Sequence, residues 1–319
     1  MRALFDFDTA PVFAIPVIRG FGGPAVHEGV LIEGPQGWGE FSPPSDADEK
    51  DDVRALTAAL EPGTVGWPDA VRGRIPVSVT VPAIDPAAAH AHITDSSCRT
   101  ADVIVAAGSL PDDIARVEAV RDALGPHGAI RCDARGRWDV DDAVKSIVAL
   151  AKAAGGLEFV VQPCATVEEL TSVRRRVDVA IAAEARRIDD PRSLTSATDV
   201  VVLHTAPLGG VRRALRVAEQ TELPCVVASE LETSVGLSSG LALAGVLPEL
   251  PFACGFETRR WLATDVTGVW RTLSPVDGFL PVAPMPPAPD LGHLATYALR
   301  DPDRVAWWRD RLRTAAAAT

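Results

Sequence analysis

The chain has 319 residues, of which 47% are hydrophobic and 23% charged. These proportions are ordinary for globular proteins, so they exclude disordered and fibrous classes. The formal net charge of −12 argues against nucleic acid or an anionic membrane as a partner, because affinity for phosphate depends on clustered lysine and arginine. The length accommodates an α/β barrel together with an accessory domain.

Cysteine spacing and the first residues indicate the compartment. The five cysteines are far apart and form no Cys-x-x-Cys pair, which predicts free thiols in a reducing compartment, with the cytoplasm as the default. Asp6 and Asp8 lie where a secretory signal peptide would be apolar. No stretch reaches about 18 uncharged apolar residues, so we expect no membrane span. We expect a small-molecule ligand, and the sequence leaves the oligomeric state open.

Two different sequence patterns follow one another along the chain. Residues 1 to about 74 are rich in turns and include a helical stretch from Asp46 to Leu60, which indicates a small α+β region. From Ile75 onward, short β-branched runs alternate with segments of helical period, the pattern of parallel βαβ units. The predicted strands are Ile75–Ile84, Arg99–Ala106, Ala129–Asp133, Leu157–Val161, Val179–Glu184, Asp199–His204, Pro224–Glu230 and Phe252–Phe256. Eight such strands make a barrel.

The last part of the chain departs from this alternation. A proline-rich segment from Pro281 to Pro289 precedes an amphipathic helix around Trp307 and Trp308, which we expect to return to the N-terminal region. We therefore predict an α/β fold in which a (β/α) barrel spans residues 75–276. An α+β capping domain would combine residues 1–74 with about 277–319.

A parallel barrel carries its chemistry at the carboxyl ends of its strands. Alternation along each predicted strand directs a set of side chains into that mouth: Asp102, Ile104, Asp133, Arg135, Val161, Glu184, His204 and Glu230. Any one of them can equally be a polar rim residue without a chemical role. Several ionisable groups in one mouth are costly to desolvate unless they are paired or used, which favours a functional site.

Several segments carry a resemblance to a known family. They include Gly37-Trp-Gly-Glu-Phe-Ser-Pro43, Gln162-Pro-Cys164, Pro207-Leu-Gly-Gly-Val211 and Leu231-Glu-Thr-Ser-Val-Gly236. Over nearly its whole length the chain resembles the o-succinylbenzoate synthase branch of the enolase superfamily. The resemblance implies a modified (β/α) barrel with an α+β capping domain.

The resemblance also implies a set of catalytic residues. Members abstract a proton next to a carboxylate with a Lys-x-Lys pair after the second strand, three acidic Mg²⁺ ligands after the third to fifth strands, and a lysine after the sixth. Here the lysine pair reads Asp102-Val-Ile104, the second ligand is Val161 and the last lysine is His204. The third ligand falls near Glu184, where about two residues are missing, and only Asp133 is unchanged.

These replacements predict that the metal is lost. Asp133 and Glu184 are the residual ligand positions, and Arg135, two residues after Asp133, is expected to pair with it in bidentate fashion where the ion would lie. We therefore expect no cofactor. The less favoured alternative is that Asp133 and Glu184 hold Mg²⁺ together with substrate oxygens and water molecules.

Other replacements are ionisable residues, whereas simple loss of the activity would be expected to leave small or apolar residues. His204 has the side chain suited to a general acid or base, and Glu230, one strand away, is placed to orient it; Asp102 completes the predicted catalytic group. Equally, His204 and Glu230 can form a pair that only satisfies two buried polar groups. Arg135, Ser229 and Arg19 are predicted to contact the substrate, with Arg19 opening a glycine-rich loop that closes over the mouth.

Three functions remain open at this point. The first is a repurposed, metal-independent enzyme that performs proton transfer, elimination or cyclisation on a small carboxylated or ring substrate in specialised metabolism. The second is a non-catalytic relative that binds a ligand or a partner protein. The third is an o-succinylbenzoate synthase of menaquinone biosynthesis.

Overall fold

The computed structural model describes residues 5–188 and 190–318. Near the N-terminus, three antiparallel strands form a sheet in the order β1 (Val12–Pro16), β2 (Val26–Gly34) and β3 (Gly37–Phe41). Helix α1 (Glu49–Thr64) packs on this sheet. Asp48 caps the start of the helix, and its side chain accepts a hydrogen bond from the Asp51 amide. Acidic residues fill the first turn, where their negative charge interacts favourably with the positive end of the helix dipole.

The predicted first barrel strand is interrupted. Strand β4 (Arg74–Pro76) pairs antiparallel with a segment near the end of the chain, and only β5 (Val79–Val81) joins the barrel. Pro76 and Pro82 lie just before and just after β5. Because proline lacks a backbone donor, it cannot continue the ladder of a central strand, so these two residues account for the shorter strand.

Seven parallel strands form the barrel wall in chain order. They are β5, β6 (Thr100–Ile104), β7 (Ala129–Asp133), β8 (Val160–Val161), β9 (Ile181–Glu184), β10 (Val200–Leu203) and β11 (Cys225–Val227). The predicted eighth strand is reduced to two bridges, in which Cys254 pairs with Val77 and Gly255 pairs with Ala228. These bridges connect the last strand to the first.

Helices cover the outside of the barrel. They are α2 (Pro86–Thr94), α3 (Leu110–Leu124), α4 (Val140–Ala154), α5 (Val167–Arg174), α6 (Leu194–Ala197), α7 (Thr205–Leu208), α8 (Val211–Thr221) and α9 (Ser234–Val246). On β7, Ile130 and Cys132 are buried in the core beneath these helices. The alternation of strand side chains therefore directs Arg131 and Asp133 to the barrel interior.

The C-terminal segment returns to the N-terminal sheet, as the sequence predicted. Strand β12 (Phe279–Pro281) pairs with β4, and the helices α10 (Leu291–Thr296) and α11 (Pro302–Ala317) follow. Trp308 of α11 is buried in one core cluster with Phe41 and Leu56, and its indole nitrogen donates a hydrogen bond of 2.8 Å to Glu28. Within the described ranges no helix combines the length and the apolar character needed to cross a membrane.

Candidate functional site

The carboxyl ends of β9, β10 and β11 bring three predicted residues together. Glu184 is the last residue of β9, His204 directly follows β10, and Glu230 lies three residues beyond β11. A buried glutamine, Gln162, holds the end of β9 in place: its Oε1 accepts a hydrogen bond of 3.0 Å from the Glu184 amide, and its Nε2 donates to the Cys164 carbonyl.

A guanidinium joins these residues into a closed arrangement of alternating charge. Arg186 Nη2 donates a hydrogen bond of 3.1 Å to Glu184 Oε1, and Arg186 Nη1 lies 2.6 Å from Glu230 Oε1. The same two carboxylate oxygens face His204, whose Nε2 lies 3.6 Å from Glu184 and whose Nδ1 lies 3.3 Å from Glu230. We call Glu184, Arg186, His204 and Glu230 the mouth ring.

Contacts within the mouth ring are close, but few of them are well-formed hydrogen bonds. Neither ring nitrogen of His204 has a hydrogen-bond partner within the described residues, although both are shielded from solvent and the His204 side chain is only 7% exposed. Glu230 Oε1 and Arg186 Nε are likewise buried without one. His204 is therefore held by charge on both sides while its nitrogens remain available for a proton or a ligand.

Asp133 and Arg135 form a neighbouring pair that differs from the prediction. The Arg135 amide donates a hydrogen bond of 2.9 Å to Asp133 Oδ1, whereas the guanidinium makes a single contact, with Nε 3.6 Å from Oδ2. Arg135 therefore approaches Asp133, as predicted, but through one guanidinium contact instead of a bidentate pair. Its left-handed backbone conformation (φ 57°) turns the chain off the strand at this point. Burial, together with the nearby Glu184, raises the Asp133 pKa to about 6, although Arg135 opposes this shift.

The residues at the expected Mg²⁺ positions do not form the donor set of a hard divalent cation. Val161 on β8 lies beside Asp133 and contributes only an apolar side chain, and Glu184 already accepts a hydrogen bond from Arg186. Across the described chain, no three His, Cys, Asp or Glu side chains converge in a way that could hold a metal. The structure therefore offers two carboxylates, Asp133 and Glu184, where the resemblance implies three acidic ligands.

Asp102 belongs to a second ionic cluster, deeper in the barrel. It pairs in the sheet with Arg131, whereas the mouth-level neighbours Ile104 and Asp133 lie one pleat further along the same strands. Arg131 Nη1 lies 3.3 Å from Asp102, and Arg131 Nε lies 2.6 Å from Glu158. The Ser78 hydroxyl also donates to Asp102. We call Asp102, Arg131 and Glu158 the floor cluster, and the structure does not bring Asp102 into the mouth ring.

The three predicted substrate contacts lie in different surroundings. Arg135 is described above. The Ser229 hydroxyl lies 3.1 Å from the Gly255 carbonyl and 2.5 Å from the Thr258 hydroxyl, so protein atoms already engage it. Arg19 is exposed at the start of a loop whose Phe21 ring packs against Trp261 at a tilt of 36°, with ring centroids 5.7 Å apart. That loop lies against the ends of the first and last barrel strands, and the contribution of Arg19 to binding stays a prediction.

Two residues of the site were missed by sequence reasoning. Arg186 follows Glu184 by two positions, in the short 3₁₀ helix Ala185–Arg187, and a basic residue so close to a strand-end acid was the available signal. Glu232 is fully buried near Glu40 and Glu230, and burial, assisted by these two negative charges, raises its pKa well above the ordinary value. Such surroundings disfavour the ionised form of a carboxyl group.

The comparisons with known proteins agree with this architecture. Residues 12–63 match the family model "Enolase N-terminal domain-like", and residues 87–292 match "Enolase C-terminal domain-like". The structure superposes on a muconate lactonizing enzyme from Pseudomonas fluorescens with a TM-score of 0.77, covering 91% of this chain and 98% of that one at 19% identity. At that identity the superposition shows the fold alone. Fold and family models together define an enolase-like barrel with a capping domain.

Relatives with higher sequence identity identify the family within the enolase-like fold. An o-succinylbenzoate synthase of Thermobifida fusca (strain YX) is 51% identical over 280 residues, which cover 86% of this chain and 87% of the relative. An o-succinylbenzoate synthase of Mycolicibacterium smegmatis is 44% identical over 94% of this chain and 93% of the relative. The chain therefore belongs to the o-succinylbenzoate synthase family of the enolase superfamily, as its sequence motifs indicated.

Proposed function

We propose that the protein is a metal-independent acid–base enzyme that uses the o-succinylbenzoate synthase scaffold for proton transfer, elimination or cyclisation on a small molecule. The observation that carries this proposal is the mouth ring, in which the His204 imidazole lies between Glu184 and Glu230. The cytoplasmic location and the small-molecule ligand expected from the sequence are part of the same proposal.

Charge balance within the mouth ring supports a role for His204 in moving protons. Two carboxylates face one guanidinium, so a proton on the imidazole makes the ring neutral. A proton that His204 takes up from a substrate would therefore leave the ring without net charge. Arg186 supplies a fixed positive charge to both carboxylates, and the Gln162 bond to the Glu184 amide keeps one of them at the mouth.

The proposal can be tested without knowing the natural substrate. The protein is incubated in D₂O with a panel of ring compounds that carry acidified C–H bonds, and deuterium incorporation is followed by NMR and mass spectrometry. We expect exchange that is insensitive to EDTA and that falls by about 10²–10⁴ in His204→Asn, the usual contribution of a positioned acid or base. The matched control is His127→Asn, since His127 is exposed on the surface.

Exchange that persists in His204→Asn, or that disappears with EDTA, would contradict this mechanism. Exchange with no member of the panel would favour the alternative that the protein binds a ligand without catalysis. Both outcomes are separable from loss of folding by the circular dichroism spectrum of each variant.

A second candidate function, o-succinylbenzoate synthase activity, is favoured by the 51% identity to a relative of that name. The side chains at the mouth oppose it, because Ile104 cannot accept a proton and Val161 cannot bind a cation. We therefore expect no steady Mg²⁺-dependent formation of o-succinylbenzoate from its cyclohexadiene precursor by the purified protein. The synthase of Thermobifida fusca is the positive control, and product formation at a comparable rate would establish the second function.

A further inference from the structure

We propose that two buried carboxylates of the capping domain, Glu40 and Glu61, are positioning residues for the barrel mouth. The capping domain here means the sheet β1–β3 together with α1 and α11. Each carboxylate holds the first amides of a barrel helix, and each of these helices follows a segment that carries a residue of the mouth ring. The inference rests on the proposed function only for the role of His204 in the reaction.

Glu40, on β3, reaches the start of α9. Its Oε2 accepts hydrogen bonds of 3.1 Å from the Thr233 and Gly236 amides, and it also accepts one from the Thr233 hydroxyl. Its Oε1 lies 3.0 Å from His27 Nε2 and accepts a hydrogen bond of 2.8 Å from the Ser42 hydroxyl. Because Thr233 is the N-cap of α9, the carboxylate lies at the positive end of that helix dipole.

The Glu40 carboxylate is ionised although its side chain is only 1% exposed. Burial opposes ionisation, but the hydrogen bond and charge of His27, together with the bonds from Thr233 and Ser42, outweigh it and hold the pKa of Glu40 below its usual value. Hydrogen bonds to an ionised acceptor are stronger than those between neutral groups. The start of α9 is therefore tied firmly to the capping domain.

Glu61, near the end of α1, makes the matching contact with α8. Its Oε2 accepts a hydrogen bond of 2.6 Å from the Val211 amide, and its Oε1 accepts from the Arg212 amide at 3.2 Å and from Arg212 Nη1 at 2.9 Å. The residue before α8 is Gly210, which has no side chain to cap the helix, and a Cβ there would collide with the Glu61 carboxylate. Glu61 supplies the missing cap from the capping domain.

The segment that carries Glu230 leads directly into the contact made by Glu40. Glu230 lies three residues before Thr233. Between them, Leu231 packs against a buried cluster that includes Phe13 of the capping-domain sheet. The Glu230 segment is thus fixed to the capping domain by an apolar contact and by a charged acceptor.

The segment that carries His204 has the same arrangement. Helix α7 begins directly after His204 and packs against α1, the helix that contains Glu61. Helix α8, whose first amides Glu61 accepts, follows α7 after two glycines. Both mouth segments are therefore held from the same domain, so a change at either carboxylate can alter the separation of His204 and Glu230.

Three segments that carry the family resemblance meet at these contacts. The first supplies Glu40, the second supplies Gly210, and the third supplies Thr233 and Gly236. A Cβ at Gly236 would lie 2.9 Å from Glu40 Oε2, so the glycine allows α9 to approach the carboxylate. These residues lie outside the mouth ring, and the positioning role gives them a function.

The NMR signal of His204 Cε1–H in the substrate-free protein tests the positioning role. The signal is assigned by its loss in His204→Asn. The test variant is Glu40→Ala, and the matched control is Glu28→Ala, because Glu28 on the adjacent strand β2 accepts hydrogen bonds from Arg304 and Trp308 inside the capping domain. We expect both variants to lower the melting temperature, but only Glu40→Ala to move the His204 signal.

Glu40→Gln separates position from charge. It removes the same charge as Glu40→Ala but keeps an oxygen that can accept from the α9 amides, so we expect a smaller shift of the His204 signal. Equal shifts in the two variants would mean that charge alone acts, and would overturn the inference for Glu40. Circular dichroism reports whether each variant is folded, and Glu40→Gln against Glu28→Gln provides the same comparison if Glu40→Ala does not fold.

Glu61→Ala tests the second contact. We expect it to move the His204 signal and to speed amide hydrogen exchange in residues 205–212 by about tenfold or more, while exchange in β1–β3 stays unchanged. An unmoved His204 signal in both Glu40→Ala and Glu61→Ala, or an equal shift in Glu28→Ala, overturns the inference and leaves the two carboxylates a role in stability alone. These measurements need no substrate, so they are independent of whether His204 catalyses proton transfer, which the deuterium experiment decides.

Discussion

The mouth ring and the floor cluster are built from the same residue types but are held together differently. In the floor cluster, Arg131 donates to Glu158, to Asp102 and to the Ala253 carbonyl, and its guanidinium lies 4.5 Å from the centre of the Phe159 ring. Only its Nη2 lacks a hydrogen-bond partner among the described residues. In the mouth ring, by contrast, the described residues give Arg186 a single hydrogen bond, to Glu184, and give His204 none.

This difference separates an ionic cluster that stabilises the fold from one that is open to chemistry. Directed hydrogen bonds and an aromatic face fix Arg131 in one orientation, as expected for a charge that is buried for structural reasons. Charges in contact without directed bonds can change partners when a proton or a ligand arrives. The comparison therefore predicts that equivalent substitutions in the two clusters act on different properties.

The largest effect on folding is expected from Arg131→Met. The Arg131 side chain is only 2% exposed, so its removal leaves Asp102 and Glu158 without their cation inside the barrel. Breaking a buried ion pair in this way typically lowers the free energy of unfolding by about 3–5 kcal/mol. Urea unfolding followed by circular dichroism measures it. A loss no greater than that of an exposed arginine such as Arg176→Met would show that the floor cluster does not stabilise the fold.

Arg186→Met is expected to lower the rate of deuterium exchange more than the stability of the fold. Arg186 is 26% exposed and Glu230 36% exposed, and His204 remains beside both carboxylates, so we expect the free energy of unfolding to fall by less than in Arg131→Met. Deuterium exchange should nevertheless drop by at least about tenfold, because the fixed charge that positions Glu184 and Glu230 is gone. Arg186→Lys, which keeps the charge, should recover part of the exchange; full exchange in Arg186→Met would remove Arg186 from the mechanism.

Sequence reasoning found the wall of the barrel more readily than its interior contacts. Alternating β-branched residues define which side chains of a strand face inward, and on that basis His204 and Glu230 were expected at one mouth, where the structure places them 3.3 Å apart. Alternation gives the face of a strand but not the depth along the barrel. For that reason Asp102, which faces inward, was assigned to the mouth although it lies one pleat below.

Arg186, one of the two missed residues, lies where strand periodicity ends. Arg186 belongs to a 3₁₀ turn after β9, and no two-residue period predicts where a side chain points once the strand has stopped. For the same reason Arg135, just beyond β7 and in a left-handed conformation, was assigned a bidentate contact that it does not make. Positions at strand ends could be predicted, whereas the orientation of the residues that follow them depends on local turns.

A third prediction concerns Glu232, an acid whose described neighbours include two other carboxylates. Its carboxyl group is buried near Glu40 and Glu230, and its pKa in the folded protein is raised well above 4.5 by burial and by those two charges. Between 4.5 and that raised value the folded state holds a proton that the unfolded state has released. Wild-type stability therefore falls as pH rises through this window and is unaffected by Glu232 at lower pH.

Glu232→Gln removes this penalty, because an amide has no proton to lose. We expect the variant to gain stability relative to wild type as pH increases from 4.5 to 8, with no widening of the difference below 4.5. Thermal unfolding of both proteins across that pH range measures the gap, and the exposed Glu219→Gln is the control that should show none. A constant difference at every pH would mean that Glu232 titrates normally.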